Sequence, residues 1–231
     1  MNVLSGGFWI ALLQIVWVNI LLSGDNAVVI ALAARNLPSR QQKMAMMLGS
    51  GAAVVLLLLL TIFAVGLLQY PYLKLVGSVM LLWIGIQLLC AEEKGPEIKS
   101  STSLLVAMRT ILVADLVMSL DNVIAMAASA GGAPEQIRTL LLVLGLGVSV
   151  PLIIFGSTLV LKLMERFPVI ILLGGALLGF VAGEMAVSDA AIHGWFEAHM
   201  HGFEYVVSIV CALLVVIIGK LVANRQNAAH L

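Results

Sequence analysis

Charge is scarce in this sequence. Asp, Glu, Lys and Arg make up only 10% of 231 residues, and the 12 acidic side chains cancel the 12 basic ones. A soluble domain carries about 25% charged residues, so an ordinary water-soluble fold is excluded. A pI near 6.9 with zero net charge gives no reason to expect a nucleic-acid partner. Cysteine is limited to Cys90 and Cys211, far apart along the chain. Two such residues make neither a disulfide framework nor a thiolate metal site, and read as small apolar residues packed in helices. No Gly-x-x-x-x-Gly-Lys stretch and no soluble segment able to carry an ATP site are present. The N-terminus lacks a basic region, and its first apolar run continues into a polar motif, so no cleavable leader is expected.

What the chain has in abundance is apolar length: 62% of residues are hydrophobic, with a mean hydropathy of +1.13. Spans of about 20 apolar residues read as an all-α polytopic membrane protein in the bilayer, with helices expected over residues 8–33, 44–67, 72–90, 104–129, 137–161, 169–187 and 203–223. The breaks carry turn and charge signals, among them Arg35 to Lys43 with Pro38, Tyr70-Pro71, the charged run Glu92 to Ser103, and Arg166-Phe-Pro168. With the N-terminus outside, Arg35, Arg40, Lys43, Lys94, Lys99, Arg109, Lys162, Arg166, Lys220 and Arg225 fall on the cytoplasmic side. Only Lys74 and Arg138 fall outside, so the asymmetry of basic residues sets the N-terminus out and the C-terminus in.

One stretch occurs twice. Asn19-Ile-Leu-Leu-Ser23-Gly-Asp25-Asn26 returns 96 residues later as Asp115-Leu-Val-Met-Ser119-Leu-Asp121-Asn122. Leu48-Gly49-Ser-Gly51 returns as Leu144-Gly145-Leu-Gly147 at the same offset, and Tyr70-Pro71 as Phe167-Pro168 at 97. Spans 1–3 therefore correspond to spans 4–6, and span 7 stands apart. The expected units are 1–90, a cytoplasmic linker 91–103, a second three-helix unit 104–187, and 188–231 with an outer loop, the last span and a short tail. Three is odd, so the second unit enters the membrane from the opposite side. Inverted repeats of this kind place substrate near the midplane at the repeat interface, often on interrupted helices.

Both copies put a carboxylate deep in an apolar span, where it is costly unless it meets a partner, a cavity or an ion. At about 100° per residue, Asn19, Ser23 and Asn26 share a helix face and Asp25 lies about 120° away. Either Asp25 faces another partner or the helix is irregular there. Gly24 permits a break that would free backbone carbonyls; Leu120 in the second copy makes a break less expected. Asp25, Asp115, Asp121, Asn19, Asn26, Asn122, Ser23 and Ser119 form a set of hard oxygen donors suited to Mn²⁺, Ca²⁺ or Mg²⁺. No intramembrane Lys or Arg balances the three acids, so their missing counter-charge is a cation or protons. The bland alternative is a polar network pinning helix 1 to helix 4. Met118 and Met126 are nearby thioethers that more often fill a core.

Glu184 follows Gly175-xxx-Gly179-xxx-Gly183, a ladder suited to close helix packing. It reads as a gate or proton carrier, or as an interfacial carboxylate. Asp189, His193, Glu197, His199, His201 and Glu204 are expected in a solvated outer loop.

At Ser23-Gly-Asp25-Asn26-Ala27 and Ser119-Leu-Asp121-Asn122 the chain resembles the TerC family of integral membrane proteins, over nearly its whole length. The short size and Trp83-Ile-Gly-Ile-Gln87 are similar to its small bacterial members. The resemblance implies a bacterial inner-membrane protein exporting Mn²⁺, with Asp25 and Asp121 as central ligands and Asn19, Asn26, Asp115 and Asn122 beside them. Some members are linked to supplying metal to exported enzymes, which makes a metal-handling or assembly factor without net transport the alternative. A divalent cation leaving a negative interior faces about 4.6 kcal/mol per 100 mV, so export needs coupling, with protons carried by the aspartates or Glu184 the expected source. An enzyme is not expected: intramembrane aspartyl proteases also use two aspartates, but these two surroundings are near copies, which fits ion binding better than a split between acid and base. Oligomeric state is left open, with a second copy of the chain as a candidate partner.

Overall fold

The computed structural model describes residues 6–67, 71–90, 104–131, 135–199 and 204–228; within the helices, side chains 62–67, 121, 124–131, 135–136, 197–199, 204 and 226–228 are outside the description. Among the described residues every regular element is an α-helix. The helices are α1 Gly6–Leu22, α2 Gly24–Ala34, α3 Ser39–Leu67, α4 Leu73–Cys90 and α5 Leu104–Gly131. They are followed by α6 Glu135–Arg166, α7 Val169–Val187, α8 His193–His199 and α9 Glu204–Ala228. Apolar side chains cover their outward faces, as with Trp9, Leu13 and Trp17 on α1 and Phe155 on α6. That is the pattern of a helix bundle in hydrocarbon, where every backbone group must be satisfied inside its own segment.

Five of these helices are long and apolar enough to cross a membrane, and six if the α1–α2 pair is one bent span. Seven spans were expected. α5 occupies the place of the fourth, with part of its side chains outside the description. The first expected span, 8–33, is not one rod: α1 and α2 meet at Ser23 with a 49° bend. The short α8 falls within the segment expected to be a plain outer loop.

Small residues set the packing, as they do where lipid removes any hydrophobic drive between helices. A Cβ on Gly179 would come within 2.6 Å of the Cys211 carbonyl oxygen, and one on Gly183 would collide with Ser208 backbone, so α7 and α9 run in backbone contact. Gly49 of α3 lies against Ile111 of α5, and Gly145 of α6 against Ile15 of α1. α3 packs on α5 and α6, α6 on α1 and α2, α4 on α5 and α7, and α7 also on α2. Two apolar clusters result: a large one joining α2, α3, α4, α5, α6, α7 and α9, and a smaller one around Phe8, Ile15, Leu57, Val123 and Leu146.

Asp189 departs from the solvated loop expected for it. It is fully buried in the turn after α7. Its carboxylate accepts the N–H groups of Tyr72 at 2.9 Å, Leu75 at 3.1 Å and Ala191 at 2.8 Å. It thereby caps the N-terminus of α4 from another helix end and holds Tyr72 at φ 70°, a backbone region uncommon for a bulky residue. Burial pushes this carboxyl upward, but the N–H groups of Ala191, Tyr72, Leu75 and Lys74 together hold it below its ordinary value. The folded state therefore gains from ionised Asp189 above the usual carboxylate pKa of about 4 and loses that gain as pH falls through the lowered value. Asp189→Ala should cost about 2–3 kcal/mol at neutral pH. In detergent melts the gap to wild type should be constant above about pH 5 and narrow only below about pH 4; a constant gap down to pH 2 would contradict the capping role. Gly179→Ala should lower the melting temperature through overpacking of about 1–3 kcal/mol. Gly51→Ala, which meets nothing within 4 Å, should leave it unchanged or raise it.

Candidate functional site

The site is built at the break in the first span. Ser23 leaves helical geometry at φ −104°, ψ 6°. Its N–H reaches back only to Ile20 O at 3.3 Å, while its own carbonyl accepts Ala27 N–H at 3.1 Å and starts α2. In an unbroken helix the Asn26 N–H would bond Leu22 O. Here it donates to Asp25 Oδ1 at 2.8 Å, and Leu22 O accepts instead from Asn122 Nδ2 of α5 at 3.4 Å. The Asp-Asn pair of one copy and the asparagine of the other thus exchange partners to satisfy the break. α5 stays helical through Asp121, as Leu120 in place of glycine suggested.

The break also has an electrostatic sense. The carbonyl end of α1 favours positive charge and the N–H end of α2 favours negative charge. Asp25 sits in the first turn of α2, where a carboxylate belongs. A cavity lies beside the break, lined from both α1 and α2.

This cavity of about 10 Å³ is lined by Asn19, Ser23, Asn26, Ile30, Ala53, Val54, Leu57, Asp115 and Ile153. Its volume is close to that of one water or one bare ion. Asn19, Ser23, Asn26 and Asp115 are all buried. Ser23 Oγ donates to Asn19 Oδ1 at 3.4 Å, and its counterpart 96 residues on, Ser119 Oγ, donates to Asp115 Oδ2 at 3.3 Å. Asn26 Oδ1 and Asn19 Nδ2 are buried without hydrogen-bond partners. A lone buried acceptor beside a carboxylate is a position that a cation would satisfy and that the protein does not.

The expected donors are thus divided. Asn19, Ser23, Asn26 and Asp115 come together. Asn122 and Ser119 support the walls, one through Leu22 O and the other through Asp115. Asp25 is half-buried, is engaged with Asn26 N–H, and does not line the cavity. The Asp121 side chain lies outside the described residues. Glu184 is exposed on the last turn of α7, away from the cavity. Met118 is buried in the core, and the Met126 side chain is outside the description. The apolar wall of Ile30, Ala53, Val54, Leu57 and Ile153 had no distinguishing mark in sequence beyond spacing. Among the described residues there is no cluster of three or more His, Cys, Asp or Glu side chains. The side chains of Glu197, His199, His201 and Glu204 lie outside the described residues.

Fold and site together define a polytopic helical membrane protein with a buried polar centre at a broken span. The chain belongs to the integral membrane protein TerC family, whose sequence model it matches over residues 4–227. It is similar to "Uncharacterized membrane protein YjbE" of Bacillus subtilis (strain 168), 45% identical over 192 residues, covering 83% of this chain and 86% of that one. It is also similar to "Uncharacterized membrane protein YceF" of the same organism, 25% identical over 217 residues, covering 90% and 79%. No solved structure matches it.

Removing the Asn122 amide leaves Leu22 O without a donor in an apolar setting. Asn122→Ala should therefore cost about 1–3 kcal/mol in detergent melts, and Asn122→Asp, which keeps the size but cannot donate when ionised, should not rescue it. Full stability in Asn122→Ala would show that the amide does not support the break.

Proposed function

We propose that this protein is a secondary transporter that exports a divalent metal cation, Mn²⁺ ahead of Ca²⁺ or Mg²⁺, through the cavity at the α1–α2 break. The observation that carries this reading is the unpartnered Asn26 Oδ1, buried beside Asp115, Asn19 and Ser23 in a space the size of one ion. The donors are oxygens of carboxylate, amide and hydroxyl type, which hard divalent cations prefer. Asp115 supplies charge, and the carbonyl end of α1 adds to it. Ile30, Ala53, Val54, Leu57 and Ile153 keep the surroundings apolar, so a bound cation must shed most of its water. The choice of Mn²⁺ and the outward direction follow from the family resemblance, as do Asp25 and Asp121 as further ligands.

The inverted repeat belongs to the same proposal. Exchanging each residue for its mate 96 positions away in the other copy turns the Gly49–Ile111 approach into Gly145 against Ile15. It turns Ser23–Asn19 into Ser119–Asp115, and it maps the α3–α5 contact onto α6–α1. These correspondences support two related units meeting at the cavity. The orientation, N-terminus out, rests on the basic residues clustered at one end. Export against the membrane potential needs a second ion, and protons exchanged at the buried carboxylates would supply it.

The test is Mn²⁺ flux in proteoliposomes. Wild type should move Mn²⁺, faster with an opposed proton gradient at fixed potential. Asp115→Asn and Asn26→Ala should each lower the flux about tenfold or more, the scale of one hydrogen bond to a charged group. Asp25→Asn and Asp121→Asn should fail as well. Flux equal to wild type in all four variants would reduce the cluster to a helix-pinning network. Binding of Mn²⁺ without flux in wild type would move the protein to metal handling without transport.

A further inference from the structure

The stretch between the central cavity and the end of the bundle near Arg35 carries its own marks. On α6, Ile153 lines the cavity, and Leu161 lines a second space of about 190 Å³ at the end of the helix, together with Arg35, Asn36, Met164 and Glu165. Eight residues, or about 12 Å of helix, separate the two. Small and polar side chains in this interval lie among residues of the large apolar cluster, Met46 included. Ser157 and Thr158 lie on α6, Ala31 and Ala34 on α2, and Ser50 and Met46 on α3.

Ser50 is the anomaly among them. It is fully buried, and its hydroxyl has no hydrogen-bond partner. Ser157, equally buried, returns its hydroxyl to the carbonyl one turn back, Ile153 O, at 2.8 Å; Ser149 does the same at 2.9 Å to Gly145 O. Ser50 declines the same option with Met46 O. It lies on the buried stripe of α3 one turn from Ala53 and Val54, which line the cavity, and one turn from Met46. Met46 in turn meets α6, its Sδ 3.8 Å from Thr158 Oγ1. The Thr158 hydroxyl donates to Ile154 O at 2.7 Å. A plug made only for stability would be filled with leucine and isoleucine, because an unpaired buried hydroxyl costs free energy.

Building on the transport reading above, we infer that the cation passes between the cavity and the basic end along the α3–α6 seam, with Ser50 Oγ as an intermediate oxygen ligand and Met46 against Thr158 as the closure. The seam admits a cation that has left most of its water, since hydroxyl oxygens stand where hydration oxygens would be. Glu165 stands at its mouth.

Two measurements on the full chain test this. In a background with Cys90→Ala and Cys211→Ala, Ser50→Cys should react with a membrane-impermeant thiol reagent offered from the basic-end side. It should do so several-fold faster than Ser208→Cys, which is equally buried between α7 and α9, and Mn²⁺ should slow it. Separately, Ser50→Ala should keep or raise the melting temperature, because it removes an unpaired buried hydroxyl, while Mn²⁺ flux falls about tenfold. Labelling no faster than at position 208, labelling indifferent to Mn²⁺, or full flux in Ser50→Ala, each with wild-type flux intact, would overturn the seam. Absence of Mn²⁺ flux in wild type itself would instead overturn the transport reading, and the seam with it.

Discussion

A backbone carbonyl in hydrocarbon must find a donor, and the arrangement at Leu22 is the result of that demand. The first span breaks at Ser23, so Leu22 O loses the Asn26 N–H that a continuous helix would give it. Asn122 replaces that donor from another helix, and Asp25 takes up the released N–H. Because the break is satisfied from two sides, α1 and α2 can meet at 49° in the interior of the bundle. The bend turns Asn19, Ser23 and Asn26 toward Asp115 and leaves Asn26 Oδ1 facing no partner. The cavity lies beside that exchange, with Asp115 of α5 and the apolar wall from α3 and α6 closing around it.

The two copies of the motif divide the work unequally. Gly24 allows the first to break, and Leu120 keeps the second helical. Asn19 in the first copy corresponds to Asp115 in the second, so the same serine contact presents an amide on one side and a carboxylate on the other. A site assembled from strict duplicates would carry either two charges or none at these positions. The difference places one carboxylate among neutral oxygens.

Much of this was readable in the residues themselves. The 96-residue offset pointed to paired sites, and the helical angle placed Asn19, Ser23 and Asn26 on one face with Asp25 off it, as the cavity lining shows. Gly24 signalled the irregularity. The glycine ladder 175–179–183 foretold the close approach of α7, although nothing local named α9 as its partner. What stayed hidden depends on contacts distant in sequence. Asp189 looks like a loop acid until Tyr72 and Leu75 arrive from 114–117 residues away. Ser50 sits inside the repeated glycine motif but shows its missing partner only when α6 is in place. The first span was read from apolar length, which cannot distinguish a straight span from one that bends at its centre, as this one does at Ser23.

The most direct measurement is Mn²⁺ binding to the purified protein followed by electron paramagnetic resonance, in which immobilised Mn²⁺ is distinguished from the free aquo ion. Wild type should immobilise Mn²⁺, while Asn26→Ala and Asp115→Asn, folded by melting temperature, should leave it largely free. Equal immobilisation in all three proteins would contradict the cavity at the α1–α2 break as the cation site.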